Sequence, residues 1–274
     1  YQNLPIKSNE VAAAIAHPAV QGVSLTGSES AGKAVAAIAG THIKKCVLEL
    51  GGNNAFIVLE DADLEVAVAM AVNARMQNAG QSCIAAKRFL IQESIAAAFI
   101  LHFKAALQNL KTGDLLDKST QIGPLARIDL AVELDHQVQK SLSMGAELIL
   151  GGTRDGAFYA PTIVTKVTPH MPVFTEETFG PVASITTFSN LDEAIDLSNQ
   201  SNFGLGVSVF TQNVAAIKTK ISAFNEGAIF INEMVKSDPR LPFGGVKNSG
   251  FGRELAEEGL KEFVNTKTVF IKRL

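Results

Sequence analysis

An α/β fold, in which a partial Rossmann-like half is followed by a second α/β domain, is predicted by three features of this 274-residue chain. Strand-like and helix-like stretches alternate from the start. A strand, a glycine turn, an Ala-rich helix and a second strand succeed one another over residues 20–50. Further β-rich runs separated by helical patterns recur toward the end, with no internal repeat and no low-complexity linker.

The elements follow in order. SNEVAAAIAH (8–17) offers a Ser cap and Ala/Ile periodicity, and VQGVSL (20–25) reads as a strand. It runs through Thr26, Gly27 and Ser28 into a helix over 30–39, and KKCVLEL (44–50) closes the unit as a strand. After Gly51 and Gly52, NAFIVLE is a strand, and DADLEVAVAMAVNARMQN has acidic residues at its start and apolar ones at helical spacing. That helix is predicted to end near residues 78–80. FLIQES, a helix over about 95–110, a loop KTGDLLDKSTQIGPLA and a helix over about 128–144 come next. ELILGG, APTIVTKV, PVASITTF and LGVSVFTQ are β-rich, with LDEAIDLSNQ and NVAAIKTKISAF as helices. The tail EFVNTKTVFIKRL alternates β-branched or aromatic residues with polar ones, so it reads as a terminal strand that would be exposed unless paired.

Composition narrows the function. Lys+Arg number 24 against 27 Asp+Glu, a net charge of −3, and no basic block is present, which argues against a nucleic-acid partner. The apolar runs stop well short of the roughly 18 residues a membrane span needs. Cys46 and Cys83 form neither a metal-spaced cluster nor a disulfide framework, so a reducing, cytoplasmic setting is expected. No metal site is expected, and small molecules are the expected partners.

Five stretches could support chemistry. GSESAG (27–32) passes from a strand into a helix, and free N–H groups at such a turn suit a pyrophosphate. Its spacing is not GxGxxG, so an unliganded turn is the alternative. In LELGGNN, Glu49 ends a strand where ligands bind in open sheets, and a raised pKa would make it a general base; a salt-bridged surface Glu is the bland alternative. In NAGQSC, Cys83 follows a Gly-Gln-Ser turn with Lys87 and Arg88 downstream. Nearby cations or helix N–H groups activate a thiol, whereas most free cysteines are small buried hydrophobes. Cys46, inside an apolar strand, reads as packing. EETFGPV (176–182) combines acids, an aromatic and a Gly-Pro turn, and residues 231–254 form a long glycine-rich segment without regular periodicity.

In this order, SLTGSESAG, LELGGNN, NAGQSC, EETFGPV and PFGGVKNSGFGRE resemble the NAD(P)-dependent aldehyde dehydrogenase superfamily along the whole chain. GDLLDKSTQIGPLA and NTKTVFIKRL are similar to that family too. The resemblance implies a Cys83 nucleophile and a Glu49 that activates the hydrolytic water. It implies that Gly27, Ser28, Gly32 and Leu50 lie by the dinucleotide, NAD or NADP, and that Glu177 and Phe179 hold the nicotinamide ribose and ring. It also implies that Asn232 and Phe243 lie by the substrate tunnel, with Ser237 as a further substrate residue. INEMVKSDPRLPFGG looks most like the succinate-semialdehyde dehydrogenase branch, with Lys236, Ser237 and Arg240 as partners for a carboxylate; loop-surface residues are the alternative. Members of that branch often have Arg six residues before the cysteine, where this chain has Gln77, so a generic aliphatic aldehyde is a second expectation.

The resemblance divides the chain into residues 1–50, the second half of the dinucleotide-binding domain; 51–253, the catalytic domain; and 254–274, a C-terminal helix/strand arm that joins a neighbouring subunit. It implies a homo-oligomer, dimer or tetramer, in the complete protein. The family's upstream oxyanion-binding Asn and adenine-ribose Lys have no counterpart here, which makes the chain, by expectation, a fragment. A non-catalytic remnant and a coenzyme A-acylating relative are the other readings, and Glu49 speaks against the latter because a hydrolytic base would waste the thioester.

Overall fold

The computed structural model describes residues 1–273. Two sheets organise the chain. In the smaller, strands Gly22–Thr26 and Lys45–Glu49 run parallel, with Thr26 beside Glu49 at their carboxyl ends. Gly250–Phe251, from the glycine-rich segment, pairs antiparallel on the other edge of Lys45–Glu49. Helix Glu29–Thr41 connects the parallel strands, and its N-cap Ser28 accepts the Ala31 N–H through Oγ. Gly32 lies in its first turns because the helix rests on Leu50: a Cβ there would overlap the Leu50 side chain.

The larger sheet has seven strands in the order Ile229–Ile231, Val207–Phe210, Asn54–Val58, Ala86–Gln92, Val182–Phe188, Thr162–Thr165 and Glu147–Leu150. All neighbours are parallel except the last pair. Its five inner strands are almost wholly buried, which is why they read as largely apolar runs rather than as alternation, whereas the edge strands Ile229–Ile231 and Glu147–Leu150 are partly exposed. Phe89 packs on Phe103 of helix Glu93–Gln108, while the adjacent Arg88 reaches the carbonyls of Leu197 and Ser198 in helix Leu191–Asn199. Successive strand residues face opposite ways, so those two helices cover opposite faces of the sheet.

Helix Leu64–Met76, capped by the Asp63 carboxylate on Val66 N–H, ends two residues earlier than the periodicity predicts. Asn78 and Ala79 take left-handed conformations (φ 52° and 53°) in the turn Gln77–Gly80, which breaks the helix before Cys83. The predicted terminal strand does not form within the chain. After helix Ala256–Glu262, the backbone of 264–273 meets no partner ladder among the described residues, and Val269, Phe270 and Ile271 are 73–85% exposed. No helix among the described residues is long and apolar enough to cross a membrane.

The two sheets meet at the ends of their strands. The small sheet ends at Thr26 and Glu49, and the large sheet begins at Asn54, Ala86 and Val182, so the loops 50–53, 80–85 and 176–181 converge at that junction.

Candidate active site

A cleft of about 970 Å³ opens at the junction, lined by Thr26, Gly27 and Ser28 on one side and by Leu50, Gly51, Cys83, Glu177 and Phe179 among others. The turn before the first long helix and the cysteine therefore share one cavity, although 55 residues apart in sequence by their numbers, 28 and 83.

Cys83 is half-buried and free. Burial pushes its thiol pKa up; the Lys87 ammonium pulls it down, while Glu177 and Glu49 oppose the thiolate. Its backbone N–H makes no hydrogen bond among the described residues. The loop that presents it is pinned from below: Lys87 Nζ donates to the carbonyls of Ser82 (2.8 Å) and Cys83 (2.7 Å). Arg75, wholly buried, donates to Gly80 O at 2.6 Å and to Thr178 O at 3.4 Å. Gly80 sits at φ 77° against the Gly180 carbonyl, so glycine is required there.

Glu49 is 2% exposed, and among the described residues neither carboxylate oxygen has a partner at full hydrogen-bond geometry, the Gly245 N–H being only a weak neighbour. Burial and the nearby Glu254 raise its pKa to about 7, against the opposing pull of Arg253 and the Gly245 N–H. An orphaned buried carboxylate is costly unless it has a use, and one that titrates near neutrality is suited to take a proton. Its Coulombic influence on Cys83 puts the two groups in one electrostatic environment.

Glu177 accepts the Gly52 N–H at 3.0 Å and faces Lys87 Nζ at 3.2 Å. Phe179 lies in the same wall of the cleft. The sequence-predicted residues do not all take the same place. Gly27, Ser28, Leu50, Cys83, Glu177 and Phe179 line the cleft, Glu49 lies buried behind it, and Gly32 acts beneath it by letting the helix approach Leu50.

Asn232, Ser237 and Phe243 are not in that lining. The Asn232 amide is occupied by Thr211, accepting its N–H at 2.9 Å and donating to its carbonyl at 2.8 Å. Phe243 pairs through its backbone with Glu254, and Ser237 is exposed in the loop. Lys236 pairs with Glu233 at 2.7 Å and Arg240 with Asp238 at 2.6 Å, so both cations are already neutralised at the surface.

Arg75 and Ser249 escape assignment from sequence alone, while Lys87 is noted there only as a cation downstream of Cys83. Ser249 Oγ donates to Gly51 O at 2.7 Å and accepts Gly204 N–H at 3.0 Å, holding the Gly51–Gly52 turn from the glycine-rich segment. The available signal was the Lys-Arg pair at the head of an otherwise apolar strand, where an unpaired charge would be untenable.

A half-buried thiol, a buried carboxylate and a helix N-terminus gather at this one sheet junction, and the chain belongs to the aldehyde dehydrogenase family: residues 3–269 match the model described as the aldehyde dehydrogenase family. Among its relatives, succinate semialdehyde dehydrogenase (NAD(P)+) Sad of Escherichia coli (strain K12) is 50% identical over 258 residues, 93% of this chain and 56% of that protein. Succinate-semialdehyde dehydrogenase (NADP(+)) of Mycobacterium leprae (strain TN) is 47% identical over 274 residues, 99% of this chain and 60% of that protein. The solved structure of succinic semialdehyde dehydrogenase from Streptococcus pyogenes in complex with NADP+ matches with a TM-score of 0.95 and 39% identity, over 99% of this chain and 60% of that one. The chain thus spans a little under two thirds of the length of these relatives.

Proposed function

We propose that the protein carrying this chain oxidises succinate semialdehyde to succinate with NAD or NADP, using Cys83 as nucleophile and Glu49 as base. The observation that supports this most is the buried Glu49 carboxylate, without a full hydrogen bond among the described residues and with its pKa raised to about 7, in the electrostatic reach of Cys83. The names of the similar proteins support the substrate.

The residues present fit a dinucleotide. Helix Glu29–Thr41 starts at the cleft, and a Cβ on Gly27 would meet nothing closer than 3.8 Å; the Gly27 N–H itself donates to Glu49 O at 3.0 Å, so the room at the turn and the first N–H groups of the helix support a phosphate there. Gly27 and Ser28 would hold the pyrophosphate, and Leu50, Glu177 and Phe179 would hold the nicotinamide riboside. When bound, NAD(P) supplies the acceptor for the hydride that the aldehyde carbon must lose.

The chain's own groups do the rest. The Cys83 thiolate attacks the aldehyde carbon, forming a C–S bond, and the Cys83 N–H donates to the resulting oxyanion. After oxidation the acyl group remains on sulfur as a thioester. Glu49 takes a proton from water as the water oxygen bonds to the acyl carbon; the C–S bond breaks, releasing the acid and the free thiol. A base poised there favours hydrolysis over acyl transfer to coenzyme A. Ser237, Phe243 and Asn232 belong to the substrate side in this reading.

The exposed apolar tail, Val269 to Ile271, supports a homo-oligomer in which that segment pairs with a second copy. A reactive free thiol favours a reducing, cytoplasmic setting. The test is NADH and NADPH formation by the purified protein with succinate semialdehyde and a panel of neutral aldehydes, beside Cys83→Ser. Cysteine-dependent turnover that prefers succinate semialdehyde is expected. A folded protein with no cysteine-dependent turnover overturns the reading, and preference for a neutral aldehyde overturns the substrate.

A further inference from the structure

Lys87 stands at a break in register. Asn54 pairs with Ala86 and Ala55 with Arg88, so Lys87 is the extra residue of a β-bulge between two central parallel strands. A bulge re-aims a side chain, and this one delivers an ammonium into the protein interior beneath the cleft. Lys87 is 0% exposed. Its Nζ has three neighbours within reach: Ser82 O at 2.8 Å, Cys83 O at 2.7 Å and Glu177 Oε1 at 3.2 Å. An ammonium has three protons to donate, and these oxygens account for all of them.

We propose that Lys87 is a positioning residue that ties the turn presenting Cys83 to the carboxylate of Glu177, so that one cation places both groups. The inference rests on the reading of Cys83 as nucleophile and deepens it. Lys87 does not touch the cleft; it acts through its two partners. Neither partner can place the other directly, because Cys83 and Glu177 are both acceptors at this point and need a shared donor.

The charges around the pair fix the sign of the effect. Lys87 favours the Cys83 thiolate, whereas Glu177 and Glu49 disfavour it. Lys87 itself is brought down to about 8, chiefly by burial and also by Arg75, against the support of Glu177 and Cys83. Removing Lys87 therefore makes the thiol harder to ionise, and removing the Glu177 charge makes it easier.

The test follows iodoacetamide alkylation of Cys83 against pH by mass spectrometry in the purified protein, without aldehyde or nucleotide. In Lys87→Met the thiol titration is expected to rise by about one pH unit, slowing alkylation roughly tenfold near neutrality. Glu177→Gln, which keeps an oxygen for the Gly52 N–H, is expected to shift the titration down. A purely structural lysine would give no such pair of opposite shifts. A folded variant of either kind with the unaltered profile, or a shift of the other sign, overturns the proposal. Should Lys87→Met fail to fold, Glu177→Gln alone decides. Thiol shifts in a protein that reduces no NAD(P) would count against aldehyde oxidation only, and turnover without the shifts against the role of Lys87 only.

Discussion

The backbone carbonyl of Cys83 occupies the space that a methyl group on Gly52 would need: a Cβ built on Gly52 overlaps that oxygen. The glycine pair after Glu49 is therefore a condition for where the cysteine stands. Because the obstacle is backbone rather than a flexible side-chain tip, Gly52→Ala must move the Cys83 loop. We expect it to slow Cys83 alkylation and turnover at least tenfold, with a stability loss of about 1–3 kcal/mol. Urea unfolding and alkylation kinetics on the same preparation check both.

Glu49→Gln removes the proposed base while keeping nearly the same volume. A thioester is expected to accumulate on Cys83, visible in the intact mass after mixing with aldehyde and NAD(P). In the unaltered protein hydrolysis should rise with pH through about 7, as Glu49 ionises, and the variant should lack that limb.

Stability responds to the same group with the opposite slope. The folded pKa of Glu49 is raised from 4.5 to about 7, so its contribution is full below pH 4.5 and is lost as pH rises through 7. The loss amounts to roughly 3 kcal/mol at about 1.4 kcal/mol per pH unit. Denaturant unfolding at pH 5 and pH 8 should show Glu49→Gln less sensitive to this change than the unaltered protein; equal sensitivity would refute a raised Glu49.

The two cysteines should separate cleanly. Cys46 lies in strand Lys45–Glu49 of the small sheet, where burial raises its pKa and no cation assists it. Cys83→Ser is expected to abolish cysteine-dependent turnover, and Cys46→Ser to leave it within about twofold. A comparable loss in both would point to a structural role for each.

Arg88 serves the fold. Fully buried, it donates to Asn53 O (2.9 Å), Leu197 O (2.7 Å) and Ser198 O (2.9 Å), with its guanidinium 5.0 Å from the Phe174 ring. Arg88→Met leaves those carbonyls without their donor and should cost about 3–5 kcal/mol, read as a fall in the urea midpoint. The neighbouring Lys87→Met, by contrast, is expected to alter the thiol.

Much of the site was legible from the residues. Cys83 after a Gly-Gln-Ser turn, Glu49 at a strand end before two glycines, and Ser28 at the head of an Ala-rich helix each had a local chemical reason to be singled out, and all lie at the sheet junction. Lys236 and Arg240 were less readable, because a charge in a loop looks the same whether it awaits a ligand or is paired with Glu233 or Asp238 two or three residues away. Asn232 was ambiguous for a similar reason: its partner Thr211 is 21 residues distant.

The sequence by itself determined the alternation of strands and helices, the break of the helix before Cys83, and the order of the site motifs, since turns, caps and hydrophobic periods are short-range properties. Tertiary structure alone decided which groups share an environment. The bulge that buries Lys87 under Cys83 and Glu177, the burial of the Glu49 carboxylate away from any full hydrogen bond among the described residues, and the approach of Gly52 to the Cys83 carbonyl all come from strands and loops far apart in the chain. Desolvation and charge coupling depend on that spatial proximity, and so do the pKa values that fit these residues to their chemistry.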